Sequence, residues 1–154
     1  MTRLSVRHYF AYGSNMNPAR VADRGLSVRD AQAGVLDGFR LMFNKMSRDH
    51  AGVGHANIEF DRQSVVEGVL YELAQADEIL KMDPFERAPW NYGREVVAIR
   101  QGQSITWAWT YFANPAVKTA GLRPPRAYMG HLLAGEVYLS QDYLQQLHGQ
   151  PLHD

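Results

Sequence analysis

The hydrophobic positions of this chain fall into short runs, separated by polar stretches rich in turn residues. The first run, His8 to Tyr12, is aromatic and apolar, predicts a buried strand, and stops at Gly13-Ser14-Asn15. Pro18 to Arg24 reads as a short helix: Asn17 can cap its free N–H groups, Pro18 suits the first helical position, and Gly25 marks a stop. Ala33–Leu36 and Phe39–Phe43 read as strands, and Asp37-Gly38 between them is a tight-hairpin signal. Asn44 to His55 is polar, contains Gly52 and Gly54, and reads as loop. Ala56–Phe60 and Ser64–Leu73 are two more predicted strands, joined by the polar turn Asp61-Arg62-Gln63. From Ala74 to Met82 the spacing of Leu73, Ala76, Ile79 and Leu80 predicts a helix, after which Pro84 sets a bend that contains Glu86. Glu95–Arg100 and Ser104–Phe112 form a hairpin around Gln101-Gly102-Gln103. Asn114 to Pro125 is loop, Arg126 to Ala134 is helical, and Ser140 caps a last helix, Gln141 to Leu147, closed by Gly149.

Strands clustered as hairpins, with helices interposed rather than alternating, predict an α+β fold: a small, mostly antiparallel curled sheet or barrel. No lysine of a phosphate loop follows Gly13 and no Gly-x-Gly-x-x-Gly occurs, which argues against a doubly wound nucleotide fold. The 154 residues fit one domain over 1–154. A domain of this size buries roughly 70% of its unfolded surface, enough for a core and a pocket.

Charge adds a restriction. Sixteen basic residues balance sixteen acidic ones, so no global field favours nucleic acid or an anionic membrane, and any anion site must be local. There is no cysteine, hence no disulfide, thiol nucleophile or thiolate metal site. Met1 to His8 alternates polar and apolar residues without the apolar core of a signal peptide, and no apolar run reaches membrane-spanning length. The expected location is the cytoplasm.

Two features carry candidate chemistry. The first is the order strand, glycine turn, helix start at Tyr12 to Pro18. Such a turn is either a plain connection or a place where successive backbone N–H groups converge on an anion. The second is Glu86. Flanked by Phe85 and by Arg87-Ala88-Pro89-Trp90, it is either a desolvated general base of raised pKa or a turn glutamate, exposed or paired with Arg87. The histidines match no metal spacing; His50 and His55 read as loop residues, and His131 lies near Glu136 without a His-Glu-x-x-His pattern. Ser14 lacks the glycines of a nucleophile elbow and reads as a hydrogen-bond donor. Tyr92, Tyr111, Tyr128 and Tyr143 are core, rim or pocket tyrosines, and Trp107 and Trp109 share a strand face that reads as packing.

The chain resembles the γ-glutamylcyclotransferase family. Tyr9-Phe10-Ala11-Tyr12-Gly13-Ser14-Asn15-Met16 looks like that family's substrate loop. Gly54-His55-Ala56-Asn57-Ile58 and Val66-Glu67-Gly68-Val69-Leu70-Tyr71 continue the match. Met82-Asp83-Pro84-Phe85-Glu86, followed by Tyr92 and Arg94, resembles the segment bearing the catalytic glutamate. Pro124-Pro125-Arg126-Ala127-Tyr128 and Leu139 to Leu147 resemble the C-terminal helices. The resemblance implies a small β-barrel with flanking helices, and cleavage of a γ-glutamyl amide in which the substrate's α-amine attacks its own γ-carbonyl to close 5-oxoproline. It implies Glu86 as general acid/base, the loop Tyr9, Phe10, Ala11, Tyr12, Gly13, Ser14 and Asn15 as substrate-binding, and Tyr111 and Tyr128 as pocket tyrosines beside Tyr12. Tyr92 matches less securely, because its spacing from the glutamate varies.

Intramolecular attack needs orientation and proton transfer, with no metal, cofactor or cysteine. The expected ligand is a small γ-glutamyl compound, and the expected state is monomer or homodimer. Two departures stand out. Arg87 follows the glutamate where the family commonly has glycine, and is either a ligand for a second carboxylate or a solvated residue. Gly13-Ser14-Asn15 differs from the loop of the glutathione-specific relatives, which disfavours glutathione. The competing readings are a non-catalytic module binding a carboxylate metabolite, favoured if Glu86 faces solvent or Trp90 fills the pocket, and a cyclotransferase that removes a γ-glutamyl group late in a biosynthetic pathway.

Overall fold

Strand β1 (His8–Ala11) pairs antiparallel with β3 (Gly54–Leu73), which pairs with β2 (Val28–Met46); β2 touches β4 (Tyr92–Gln101), and β4 runs antiparallel to β5 (Ser104–Ala113). A parallel contact, Tyr9 opposite Trp109, returns β5 to β1 and closes a five-stranded barrel. The computed structural model describes residues 5–154; the first half of the N-terminal alternation, residues 1–4, lies outside the described residues. The β1–β5 seam is short and is sealed by side chains: the buried Thr110 hydroxyl donates to the Phe10 carbonyl (2.9 Å) and the Tyr12 hydroxyl to the Tyr111 carbonyl (2.6 Å). Phe10, Val66, Val69 and Ile99 are fully buried in the core.

The Asp37-Gly38 signal is a bulge inside one strand, not a hairpin. β2 runs unbroken for 19 residues, and the register against β3 jumps from Asp37 opposite Val65 to Phe39 opposite Phe60. Gly38 sits at φ +82°, the left-handed geometry that a tight turn and a bulge both require. The expected turn at Asp61-Arg62-Gln63 is the other half of this irregularity. The Asp61 carboxylate accepts from the Gln63 N–H (3.1 Å) and the Ser64 hydroxyl (2.7 Å). Two predicted short hairpins are thus one long bent hairpin, and the strands claim the two ends of the expected 44–55 loop, leaving 47–53 between them.

Helix α1 (Pro18–Asp23) is capped as expected, the Asn17 side chain accepting from the Ala19 N–H (3.1 Å). Ala76–Lys81 is a 3₁₀ turn rather than an α-helix, held by i to i+3 bonds such as Met82 N–H to the Ile79 carbonyl (3.0 Å). Helices α2 (Arg126–Leu133) and α3 (Gln141–His148) follow, the latter capped by Ser140. Trp107 is 52% exposed, and Trp109 lies under the Arg94 guanidinium (4.3 Å), so the expected tryptophan packing is only partial. No helix among the described residues is long and apolar enough to cross a membrane.

Candidate active site

At the end of β1 the backbone turns at Gly13 into the short 3₁₀ segment Ser14–Met16. A Cβ on Gly13 would stand 3.1 Å from the Ala56 Cβ and 3.2 Å from the Tyr128 hydroxyl, so glycine lets loop, strand β3 and helix α2 close together. Met16 N–H donates to the Gly13 carbonyl (3.0 Å) and Asn17 N–H to the Ser14 carbonyl (3.2 Å). Among the described residues no backbone carbonyl accepts from the amides of Gly13, Ser14 or Asn15.

Glu86 reaches the same place from the turn after the 3₁₀ segment. Asp83 anchors that turn by accepting from the Tyr111 hydroxyl (2.6 Å) and from Arg94 Nε (2.8 Å). The Glu86 N–H donates to the Met82 carbonyl (3.1 Å), and the Met82 side chain is fully buried. Arg87 adopts φ +50°, the left-handed region that glycine enters freely and that costs other residues roughly 1–2 kcal/mol.

The Glu86 side chain is 17% exposed. Asn15 Nδ2 donates to its Oε1 (3.2 Å), and Arg24 Nη1 lies 3.8 Å away. Arg24 also donates to Asn15 Oδ1 (3.0 Å), which fixes the amide with Nδ2 toward the glutamate and the Tyr9 hydroxyl (2.9 Å). Burial raises the Glu86 carboxyl above the ordinary carboxylate range; Arg24, Arg20, Lys45 and the Asn15 bond pull against it. The expected flanking by Phe85 and Trp90 is not the cause. Both are exposed, Trp90 75% so, and the pairing with Arg87 gives way to Arg24.

Glu86 and the loop line one cavity of about 40 Å³. Tyr9, Phe10, Tyr12, Gly13, Ser14 and Asn15 form one side. Tyr92, Tyr111, Tyr128 and Ala56 complete it. Ala11 does not line it; it is buried and pairs with Val69. The tyrosine hydroxyls divide into two groups. Those of Tyr12, Tyr111 and Tyr92 donate to the Tyr111 carbonyl, Asp83 and the Ala56 carbonyl (2.6, 2.6 and 2.8 Å). Those of Tyr9 and Tyr128 accept, from Asn15 and from the Ala56 N–H (3.0 Å), and keep a proton to donate. Burial pushes the Tyr128 phenol up to about 12 and the Tyr9 phenol well above its usual value, so both stay neutral near pH 7.

A larger chamber of about 260 Å³ adjoins the first and shares Ser14, Glu86, Tyr92 and Tyr128 with it. Arg20, Arg24, Lys45 and His55 line it, none of them a predicted site residue. Their sequence signal is weak, because a basic residue on a short helix or strand end reads as solvated. Asp83 was likewise missed, though it sits three residues before Glu86 in the matched segment. The His131 ring meets the Asn17 side chain (3.1 Å).

Residues 9–145 match the model of the family described as gamma-glutamyl cyclotransferase, AIG2-like. This chain belongs to that family. The family's fold is present throughout the described residues. A solved structure named gamma-glutamyl cyclotransferase superposes with a TM-score of 0.80 at 21% identity, covering 96% of this chain and 89% of that one. An uncharacterized human protein gives 0.82 at 21% identity, with coverage of 98% and 91%. A yeast gamma-glutamyl cyclotransferase described as specific to glutathione is more distant, at 0.62 and 14% identity with 94% of each chain covered. At these identities the likeness is one of fold. No curated protein matches the chain by sequence.

Proposed function

We propose that the protein cleaves γ-glutamyl amides by intramolecular cyclisation, releasing 5-oxoproline and an amine or amino acid, with Glu86 as the proton carrier. The observation that carries this reading is the meeting of a largely buried, raised-pKa carboxyl with the Gly13–Asn15 loop, whose amides no backbone carbonyl takes up among the described residues, in one small cavity. The α-ammonium of the substrate gives one proton to Glu86 and becomes a nucleophile. Its nitrogen bonds to the γ-carbonyl carbon, and the developing oxyanion or the glutamyl carboxylate is held by the amides of Gly13, Ser14 and Asn15. Glu86 delivers its proton to the leaving nitrogen, the amide C–N bond breaks, and Glu86 takes a second proton from the new ring nitrogen. The lactam keeps one proton, and the amine takes Glu86's second proton to leave as ammonium, which returns Glu86 to its carboxylate.

The site suits this task. A carboxyl held above its normal range is a better match to an amine's proton than a free glutamate. Enclosing the chain between tyrosines favours the folded, near-attack geometry, and well-oriented intramolecular reactions reach effective molarities of about 10⁵ M or more. The test is mass-spectrometric detection of 5-oxoproline after incubation with γ-glutamyl-alanine, γ-glutamyl-lysine and glutathione, beside Glu86→Gln. Product from the wild type alone supports the reading; no product from any substrate returns the site to a binding role.

A further inference from the structure

Lys45 has a buried stem and an ammonium that opens into the outer chamber, where among the described residues no carboxylate touches it. It is 6% exposed, and among the described residues it makes no ion pair or hydrogen bond through Nζ, resting 5.9 Å from the Tyr92 ring centre. A partly desolvated ammonium is stabilised by a matching anion. Beside it in the outer chamber, Arg20 carries a buried Nε that also lacks a partner. Arg24 is already engaged by Asn15 and Glu86. Arg48 and Arg87 add positive charge at the rim, and Asp49 is the one acid there besides Glu86. The outer chamber therefore holds an excess of positive charge, and two of its cations have unspent donors.

We propose that this chamber receives the leaving portion of the substrate, and that Lys45 and Arg20 bind a carboxylate on it. The inference rests on the cyclotransferase reading and narrows it. The chamber shares Glu86, Ser14, Tyr92 and Tyr128 with the inner cavity, so a substrate whose glutamyl part occupies the inner cavity extends its amide nitrogen past Glu86 into the outer one. The favoured substrates are γ-glutamyl amino acids with a free carboxylate on the leaving residue. Amines and amides lacking that carboxylate leave both cations unmatched. Arg87, an alternative carboxylate ligand on sequence grounds, is exposed at the rim and secondary to Lys45.

The experiment compares kcat/KM for γ-glutamyl-alanine and γ-glutamyl-alaninamide in the wild type, Lys45→Gln and Arg20→Gln, reading 5-oxoproline. Breaking one side of a buried charge pair predicts a wild-type preference of about 10²-fold for the free carboxylate. In Lys45→Gln that preference falls at least about ten-fold, with a smaller fall in Arg20→Gln. Equal rates with the two substrates in the wild type overturn the inference alone. So does an equal loss on both substrates in Lys45→Gln, which puts Lys45 on the glutamyl portion. No 5-oxoproline from either substrate overturns the cyclotransferase reading and this inference with it.

Discussion

Replacing Glu86 with Gln removes one ionisable oxygen and leaves the shape. Asn15 Nδ2 donates to the carboxylate (3.2 Å) and a glutamine carbonyl still accepts from it, while Arg24 Nη1 at 3.8 Å makes only an ionic contact, so the turn anchored by Asp83 is expected to persist. Loss of positioned acid–base catalysis predicts a fall in turnover of about 10²–10⁴, or roughly 2.7–5.4 kcal/mol in the barrier. The pH profile of kcat/KM supplies a second signature. The wild type should lose activity as pH falls through the raised carboxyl pKa, and the variant's residual activity should lack that limb. Stability should move the other way. The unfolded chain solvates the Glu86 carboxylate freely, while the native state buries it, so above its folded pKa the ionised group costs stability. Glu86→Gln should therefore be at least as stable as the wild type at pH 7, with the difference shrinking as pH falls through that pKa. Turnover within a factor of about three of the wild type would remove Glu86 from the chemistry. A variant less stable at pH 7 would mean that the Arg24 attraction outweighs burial.

The remaining predictions concern its surroundings. Arg24→Met removes the cation nearest the carboxyl and should move the acid limb of the pH profile to higher pH; an unchanged midpoint would deny the Arg24–Glu86 coupling. Asn57 is 1% exposed, and its Oδ1 accepts from the Ala113 N–H (2.9 Å), so Asn57→Ala should cost about 1–3 kcal/mol in chemical denaturation by orphaning that amide. Burial, aided by Lys45 and Arg20, lowers the His55 pKa from 6.5 to about 4. Between those values the unfolded chain binds the proton first, so His55 should contribute a loss of stability as pH falls from 6.5 toward 4, and thermal melts of His55→Gln should show a flatter decline over that window.

Local chemistry wrote much of this protein in readable form. The aromatic run into Gly13, the Asn17–Pro18 helix start, the two-residue turn between β4 and β5 and the Ser140 cap are short-range arrangements, and each stands where the pattern put it. The loop and Glu86 were legible as separate motifs through the family resemblance, and that the chain has the barrel fold follows from the same signal.

Long-range pairing settled the rest. Asp37-Gly38 carries the same positive-φ preference whether it reverses a chain or bulges a strand, and only the partner strand, with its own irregularity at Asp61, selects the bulge. The environment of Glu86 is likewise tertiary. Its neighbours in sequence, Phe85 and Trp90, are exposed, while the groups that tune it come from the 3₁₀ segment after β1 (Asn15), from α1 and the residue closing it (Arg20 and Arg24), and from the end of β2 (Lys45). Lys45 illustrates the limit most clearly. On the chain it is one more polar residue in a predicted loop; in the fold its stem is buried and its charge acts on a carboxyl 41 positions away. A residue's type and its local spacing are written in the chain, but the desolvation and fields that set its chemistry depend on which distant segments the barrel brings against it.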